Sequence, residues 1–188
     1  MYASARKSGA VFMKLDDGDK VIMCRALAEE DDCEFMTLTE GACAYLCRAG
    51  SLEPSGKGAR GRKLNAKQEG DRVSIILDNP GYGKELVISS DDCVMCRISM
   101  NQFRLPSKAG KAIQVMKNDY KSKPVVHAIT ALKDDTLVVL FEDGRAEDIA
   151  VKDIDTASKS RKGRRMIESS GRALSISVKP VGAFDKEI

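Results

Sequence analysis

Apolar side chains recur along the chain in runs of about five to eight residues, rich in Val, Ile, Leu and Thr and bounded by Asp, Asn, Gly or Pro. Runs of that length and composition predict strands and not helices. Glu34 to Gly41, Leu86 to Cys93 and Leu137 to Gly144 share one plan, an alternating apolar segment that ends in an acidic or glycine turn, and they begin 52 and 51 residues apart. Each is followed by a glycine in a basic setting, at Gly61, Gly110 and Gly163, with a matching Gly9 near the start. A further apolar segment follows each of these glycines: Val21 to Cys24, Val73 to Leu77, Val125 to Ile129 and Ala173 to Val178. The chain therefore reads as one domain, 1–188, made of a half repeat 1–32 and three repeats of about 51 residues, 33–84, 85–135 and 136–188. The pairs Glu40-Gly41, Asp91-Asp92 and Asp143-Gly144 suit tight hairpin turns, where Gly, Asn or Asp takes a positive φ at little cost. Regular hairpins without heptads or long amphipathic stretches favour radial or solenoid stacking of small sheets. The expected architecture is an all-β, propeller-like disk of about three to four blades, with an ordinary β-sandwich as the competitor.

A length of 188 residues with 43% hydrophobic content allows a full core. The longest apolar run, Leu137 to Phe141, falls far short of the ~18 residues of a membrane span, and Met1 to Lys7 lacks the apolar stretch of a secretory signal. Six cysteines without a small loop-rich scaffold to staple suit free thiols in a reducing cytoplasm. A net charge of +3 says little until its distribution is read. The windows 3–10, 55–63, 106–112 and 156–165, which the repeat brings into phase, contain no Asp or Glu but thirteen of the 31 Lys and Arg residues. These are Arg6 and Lys7; Lys57, Arg60, Arg62 and Lys63; Lys108 and Lys111; and Lys159, Arg161, Lys162, Arg164 and Arg165. The rest of the chain holds 18 basic against 28 acidic side chains, so the small total hides two opposed sets. A solvated surface mixes its charges, whereas one sign returning at one phase of a repeat predicts a basic track along one edge. Such a track matches the phosphates of a duplex, which spaced Arg and Lys neutralise with salt-sensitive and largely sequence-independent affinity. Small neighbours such as Ser55, Gly58, Gly110 and Gly163 let the backbone approach phosphates. The windows contain no aromatic residue, which favours backbone contacts to a duplex over base stacking with a single strand. A curved track requires bent DNA, at a cost of order 1–6 kcal/mol.

The stretch Asp135 to Ile154, followed by Thr156 to Ile167, resembles one repeat of the C-terminal domain found in the A subunits of bacterial DNA gyrase and of topoisomerase IV. Lys84 to Ser90 through Leu105 to Ile113 is similar to a second copy, Cys33 to Leu64 to a third, and Ser4 to Met23 to the trailing half of another. The resemblance implies a β-pinwheel, a disk whose blades exchange strands and whose outer rim binds and bends double-stranded DNA. It further implies a non-catalytic module of an ATP-dependent type II topoisomerase, working in the cytoplasm at the nucleoid. The partners it implies, besides DNA, are the ATPase B subunit, together with the rest of the A subunit. The gyrase box Gln-Arg-Arg-Gly-Gly-Lys-Gly has no match here; Ser55 to Lys63 and Ser158 to Arg165 are loose analogues. That leaves a topoisomerase IV-like reading beside a gyrase-like one.

Other chemistry is weaker. Cys43 and Cys47 with Cys93 and Cys96 could furnish a tetrahedral zinc site, but they fall in or beside predicted strands, where free Cys packs as a small hydrophobe. His127, the lone histidine, lies in an apolar segment without an obvious nucleophile. Asp16-Asp17, Glu29 to Asp32 and Asp134-Asp135 are explained by turn chemistry. No phosphate-binding Gly-Lys-Ser/Thr loop is present, and no catalytic residue, metal or cofactor is expected. The alternative function is a protein-binding propeller with a basic interaction edge.

Overall fold

The computed structural model describes residues 11–28, 32–61, 70–103, 112–119, 121–157, 162–168 and 171–179. These form eleven strands: β1 (Glu34–Thr39), β2 (Cys43–Arg48), β3 (Val73–Asp78), β4 (Glu85–Ser90), β5 (Val94–Ser99), β6 (Ile113–Gln114), β7 (Val125–Ala131), β8 (Thr136–Phe141), β9 (Ala146–Ala150), β10 (Arg164–Arg165) and β11 (Ala173–Val178). Short 3₁₀ turns follow β2, β5 and β9, and no α-helix occurs among the described residues. The all-β expectation holds. The hairpins β1–β2, β4–β5 and β8–β9 occupy the three positions that the apolar alternation marks.

Their turns differ from expectation in one respect. The loops hold three, three and four residues, closed by Ala42 N–H to Thr39 O, Cys93 N–H to Ser90 O and Gly144 N–H to Phe141 O. The positive φ falls on the third loop residue, at 60° for Ala42, 58° for Cys93 and 83° for Gly144. Only the third hairpin places a glycine there. Ala42 and Cys93 bear the steric cost of a left-handed backbone, but both are buried, and the Thr39 and Ser90 hydroxyls accept the next N–H groups, of Cys43 and Val94.

Each hairpin gains a long antiparallel strand on its first member, β3 on β1, β7 on β4 and β11 on β8. A short strand from the following unit completes the sheet on the other side: β6 pairs with β2, and β10 pairs with β5. The sheets are thus β3-β1-β2-β6, β10-β5-β4-β7 and β11-β8-β9, and neighbouring units are tied by strand exchange. Two apolar layers lie between them. Alternate residues of the middle sheet face opposite ways, as a period of two demands. Leu86, Ile88, Cys96 and Ile98 pack with Met36, Leu38 and Leu46 of the first sheet, and Val87 and Met95 pack with Leu137, Val139 and Phe141 of the third.

The leading half repeat departs from expectation. Within 11–28 only Met13 makes a bridge, parallel to Ala59, and Val21 and Ile22 are exposed instead of laddered. Its counterparts β3, β7 and β11 each pair with the first strand of their own hairpin.

Candidate nucleic-acid interface

The best-built basic surface lies where the loop of the third unit returns to the middle sheet. Arg97, on β5, is the anchor. Its backbone N–H donates to Asp155 O at 3.0 Å, its carbonyl accepts Ala157 N–H at 2.8 Å, and its Nε donates to Ile154 O at 2.8 Å. Its guanidinium also pairs with Glu85 at 3.0 Å, with both side chains largely buried. These bonds pin residues 154–157, and β10 pins the far end of the loop against Met95 and Val94. Between them Gly163, at a φ of 69°, sits so close to the sheet that an added Cβ would lie 2.6 Å from Met116 Sδ and 2.9 Å from the Met95 carbonyl. Glycine is required there for both backbone and space.

The pinned loop delivers Lys162, Arg164 and Arg165 to the surface. Arg164 turns to the Asp153 carbonyl at 2.6 Å and to Asp155 at 3.4 Å. Arg165 reaches Asp92 at 2.6 Å, at the turn of the middle hairpin. Beside it opens a cavity of about 530 Å³ floored by Val94, Met116 and Gly163 and edged by Lys117, Lys123, Lys162 and Arg165. Asn118 and Asp119 also line it. Lys117 and Lys123 fall outside the basic windows of the sequence. They lie after the window 106–112, between β6 and β7, and a search confined to acid-free windows passes over them because Asp119 stands between them.

Asp92 holds Lys123 at 2.9 Å as well as Arg165, and the Ser90 hydroxyl donates to its other oxygen. Burial alone would raise its pKa, but the Ser90 hydrogen bond and the charges of Lys123 and Arg165 outweigh that and hold it below the usual carboxylate value.

The structure places the predicted residues unevenly. Lys162 and Arg165 share the cavity, and Arg164 lies on the same two-residue strand. Lys57 and Arg60 occupy a different loop, which runs beside the half repeat through Gly58 N–H to Phe12 O and Lys14 N–H to Ala59 O, with Arg60 paired to Asp16 at 2.9 Å. Both members of that pair are mostly exposed, so it contributes little to stability and leaves the arginine exchangeable. Arg6, Lys7, Arg62, Lys63, Lys108, Lys111, Lys159 and Arg161 lie outside the described residues.

The other candidates resolve into packing. Cys43, Cys47, Cys93 and Cys96 are buried in or beside strands, no disulfide joins any of the six cysteines, and among the described residues no group of three or more His, Cys, Asp or Glu is placed to hold a metal ion. Desolvation raises the Cys93 thiol and pushes Cys96 up to about 11. His127 Nε2 lies 2.9 Å from the Ala173 carbonyl, joining the second and third sheets. Asp135 accepts Leu132 N–H at 2.8 Å, and Asp32 accepts Gly50 N–H at 3.0 Å, both turn contacts.

No protein-family model matches the chain. It is 24% identical over 171 residues to the DNA gyrase A subunit of Chlamydia pneumoniae, and 25% identical over 181 residues to that of Lawsonia intracellularis. Those alignments cover 88% and 89% of this chain. Among solved structures, the C-terminal domain of DNA topoisomerase IV superposes with a TM-score of 0.71 at 18% identity, covering 94% of this chain and 55% of that one. The fold is that of the C-terminal domains of type II topoisomerase A subunits. The DNA gyrase A C-terminal domain agrees, with a TM-score of 0.70 at 20% identity over 92% of this chain and 58% of that one. The strand-exchanged sheets are thus the blades of a β-pinwheel, as the resemblance implied. The chain spans about a fifth of the length of the gyrase subunits it matches. Among the described residues no helix is long and apolar enough to cross a membrane.

Proposed function

We propose that this chain is a single DNA-binding unit, 1–188, of a type II topoisomerase A subunit, which holds double-stranded DNA by its phosphate backbone along its basic loops and bends it. The observation that carries the reading is the basic loop of the third unit. Its three described cations are presented by a segment locked at both ends, by Arg97 and by β10, and the loop joins Lys117 and Lys123 from the neighbouring unit. Locked cations at blade junctions are what a polyanion with regularly spaced charges requires, and the kinship with gyrase A subunits supports DNA as that polyanion. On this reading the unit is non-catalytic by itself, and its phased basic loops recur once per repeat. It works in the cytoplasm at the nucleoid, with the ATPase B subunit, and with the rest of the A subunit.

Reversing charge in both loops (Lys57→Glu and Arg60→Glu with Lys162→Glu and Arg165→Glu) is expected to weaken duplex binding by more than about tenfold, to a similar extent on two unrelated sequences. Unchanged affinity in fluorescence anisotropy, with the fold intact, would remove the proposal. A protein-binding role is the second reading, favoured by the exposed apolar side chains Val11, Phe12, Val21 and Ile22 on the half repeat. It predicts no duplex shift at low salt and capture of a protein partner.

A further inference from the structure

The charges around the inter-blade cavity are not equivalent. Lys117 and Lys162 make no ion pair among the described residues, whereas Lys123 and Arg165 converge on one oxygen of Asp92, Oδ2, at 2.9 and 2.6 Å. A single anionic oxygen bridging an ammonium and a guanidinium is also how a phosphodiester's non-bridging oxygen sits between two cations. Asp92 is aimed for this by its place in the hairpin loop and by the Ser90 hydroxyl on Oδ1. Its side chain is one-quarter exposed, and those of Lys123 and Arg165 are 51% and 35% exposed, so the bridge can be exchanged without opening the core.

We propose that this cavity is a seat for one backbone phosphate of the bound duplex, with Lys117, Lys123, Lys162 and Arg165 as its cations and Asp92 as the internal carboxylate that the phosphate displaces. The proposal rests on the DNA-binding reading and adds a specific seat and an intramolecular competitor to it. The apolar floor of Val94 and Met116 admits the uncharged sugar edge beside the phosphate. Asp92 lowers affinity twice over: it neutralises two of the four cations before DNA arrives, and its charge repels the phosphate once displaced. In the free protein it keeps Lys123 and Arg165 in position, so the seat is organised before binding.

The test compares wild type with Asp92→Asn on a 30-base-pair duplex across a salt series, with Asp148→Asn as a control that removes equal charge from the Lys179 pair on another strand. Asp92→Asn is expected to tighten binding about fivefold and to steepen the slope of log affinity against log salt by about one unit. Asp148→Asn should change affinity by less than about twofold. Adding Lys123→Ala to Asp92→Asn should abolish the gain. Should Asp92→Asn disturb the hairpin, visible as a lowered melting temperature, Lys117→Glu serves in its place. That variant should weaken binding about fivefold, while Lys133→Glu, on a turn away from the cavity, should have a smaller effect. If wild type binds duplex but Asp92→Asn and Asp148→Asn behave alike, or Lys117→Glu matches Lys133→Glu, the seat is wrong and the DNA reading stands. If no protein binds duplex, the DNA reading falls and the seat with it. Inorganic phosphate at 10 mM should leave the wild-type Arg165 amide resonance unmoved; saturation of the site by it would assign the cavity to a free anion and overturn the proposal.

Discussion

At the scale of single residues, the structure turns several sequence candidates into statements about protonation and packing. Cys96 is the clearest case. Its thiol lies wholly within the layer between the first two sheets, and desolvation lifts it from an ordinary 9.0 to about 11. A raised thiol stays protonated in the native state at pH values where the unfolded chain has already lost its proton. Stability linked to this group is therefore level below about pH 9 and falls as the pH rises from 9 toward 11. We expect iodoacetamide at pH 8 to modify exposed Cys24 while leaving Cys96 untouched, and Cys96→Ala to flatten the loss of urea midpoint between pH 9 and 11. Labelling of Cys96 as fast as Cys24 would show that the thiol is not sealed in the layer. A lone sequence cannot show this burial directly, but strand periodicity pointed to it: Cys96 shares a face with Ile98, and its cross-strand partner is Ile88.

At the scale of elements, legibility followed hydrogen-bonding partners. The hairpins were readable because both strands and the turn lie within about 15 residues, so alternation and turn chemistry sit side by side. The two-residue strands β6 and β10 were not. Their partners are in the preceding unit, and Arg164-Arg165 carries no apolar alternation at all. The 3₁₀ turns beginning at Ala49, Met100 and Val151 keep the 51-residue spacing, yet Ala-Gly-Ser, Met-Asn-Gln and Val-Lys-Asp share no composition that would reveal them. Arg97 was equally hidden, because its role comes from contact with residues more than 50 positions away. Truncating its side chain removes the Nε bond to the Ile154 carbonyl and leaves Glu85 largely buried without its cation, while the backbone bonds to Asp155 and Ala157 remain. Arg97→Ala should therefore cost about 3 kcal/mol in chemical denaturation and loosen the third basic loop. If the variant keeps wild-type stability and wild-type duplex affinity, the loop is held by something other than this clamp.

At the scale of the whole molecule, the informative quantity is the separation of charge by phase, which net charge conceals. The basic excess lies in the four windows 3–10, 55–63, 106–112 and 156–165, and the acidic excess lies in the rest of the chain. Among the described residues, the third-unit loop returns to the middle sheet through β10 and delivers Lys162, Arg164 and Arg165 there, whereas Lys57 and Arg60 stand on a loop beside the half repeat. The sequence periodicity predicts a role for the loops but assigns none to Lys117 and Lys123, which meet Lys162 and Arg165 of the third-unit loop at one cavity. On the proposed function, such a surface would recognise the spacing of phosphates and not the identity of bases. The most direct test is the affinity of the intact chain for two duplexes of unrelated sequence, measured from about 50 to 200 mM salt. The account predicts nearly equal affinities and a slope of log affinity against log salt of about −4 or steeper, as expected when at least four or five phosphates are neutralised. Weak binding with a slope shallower than about −1, or strong preference for one sequence, would contradict it.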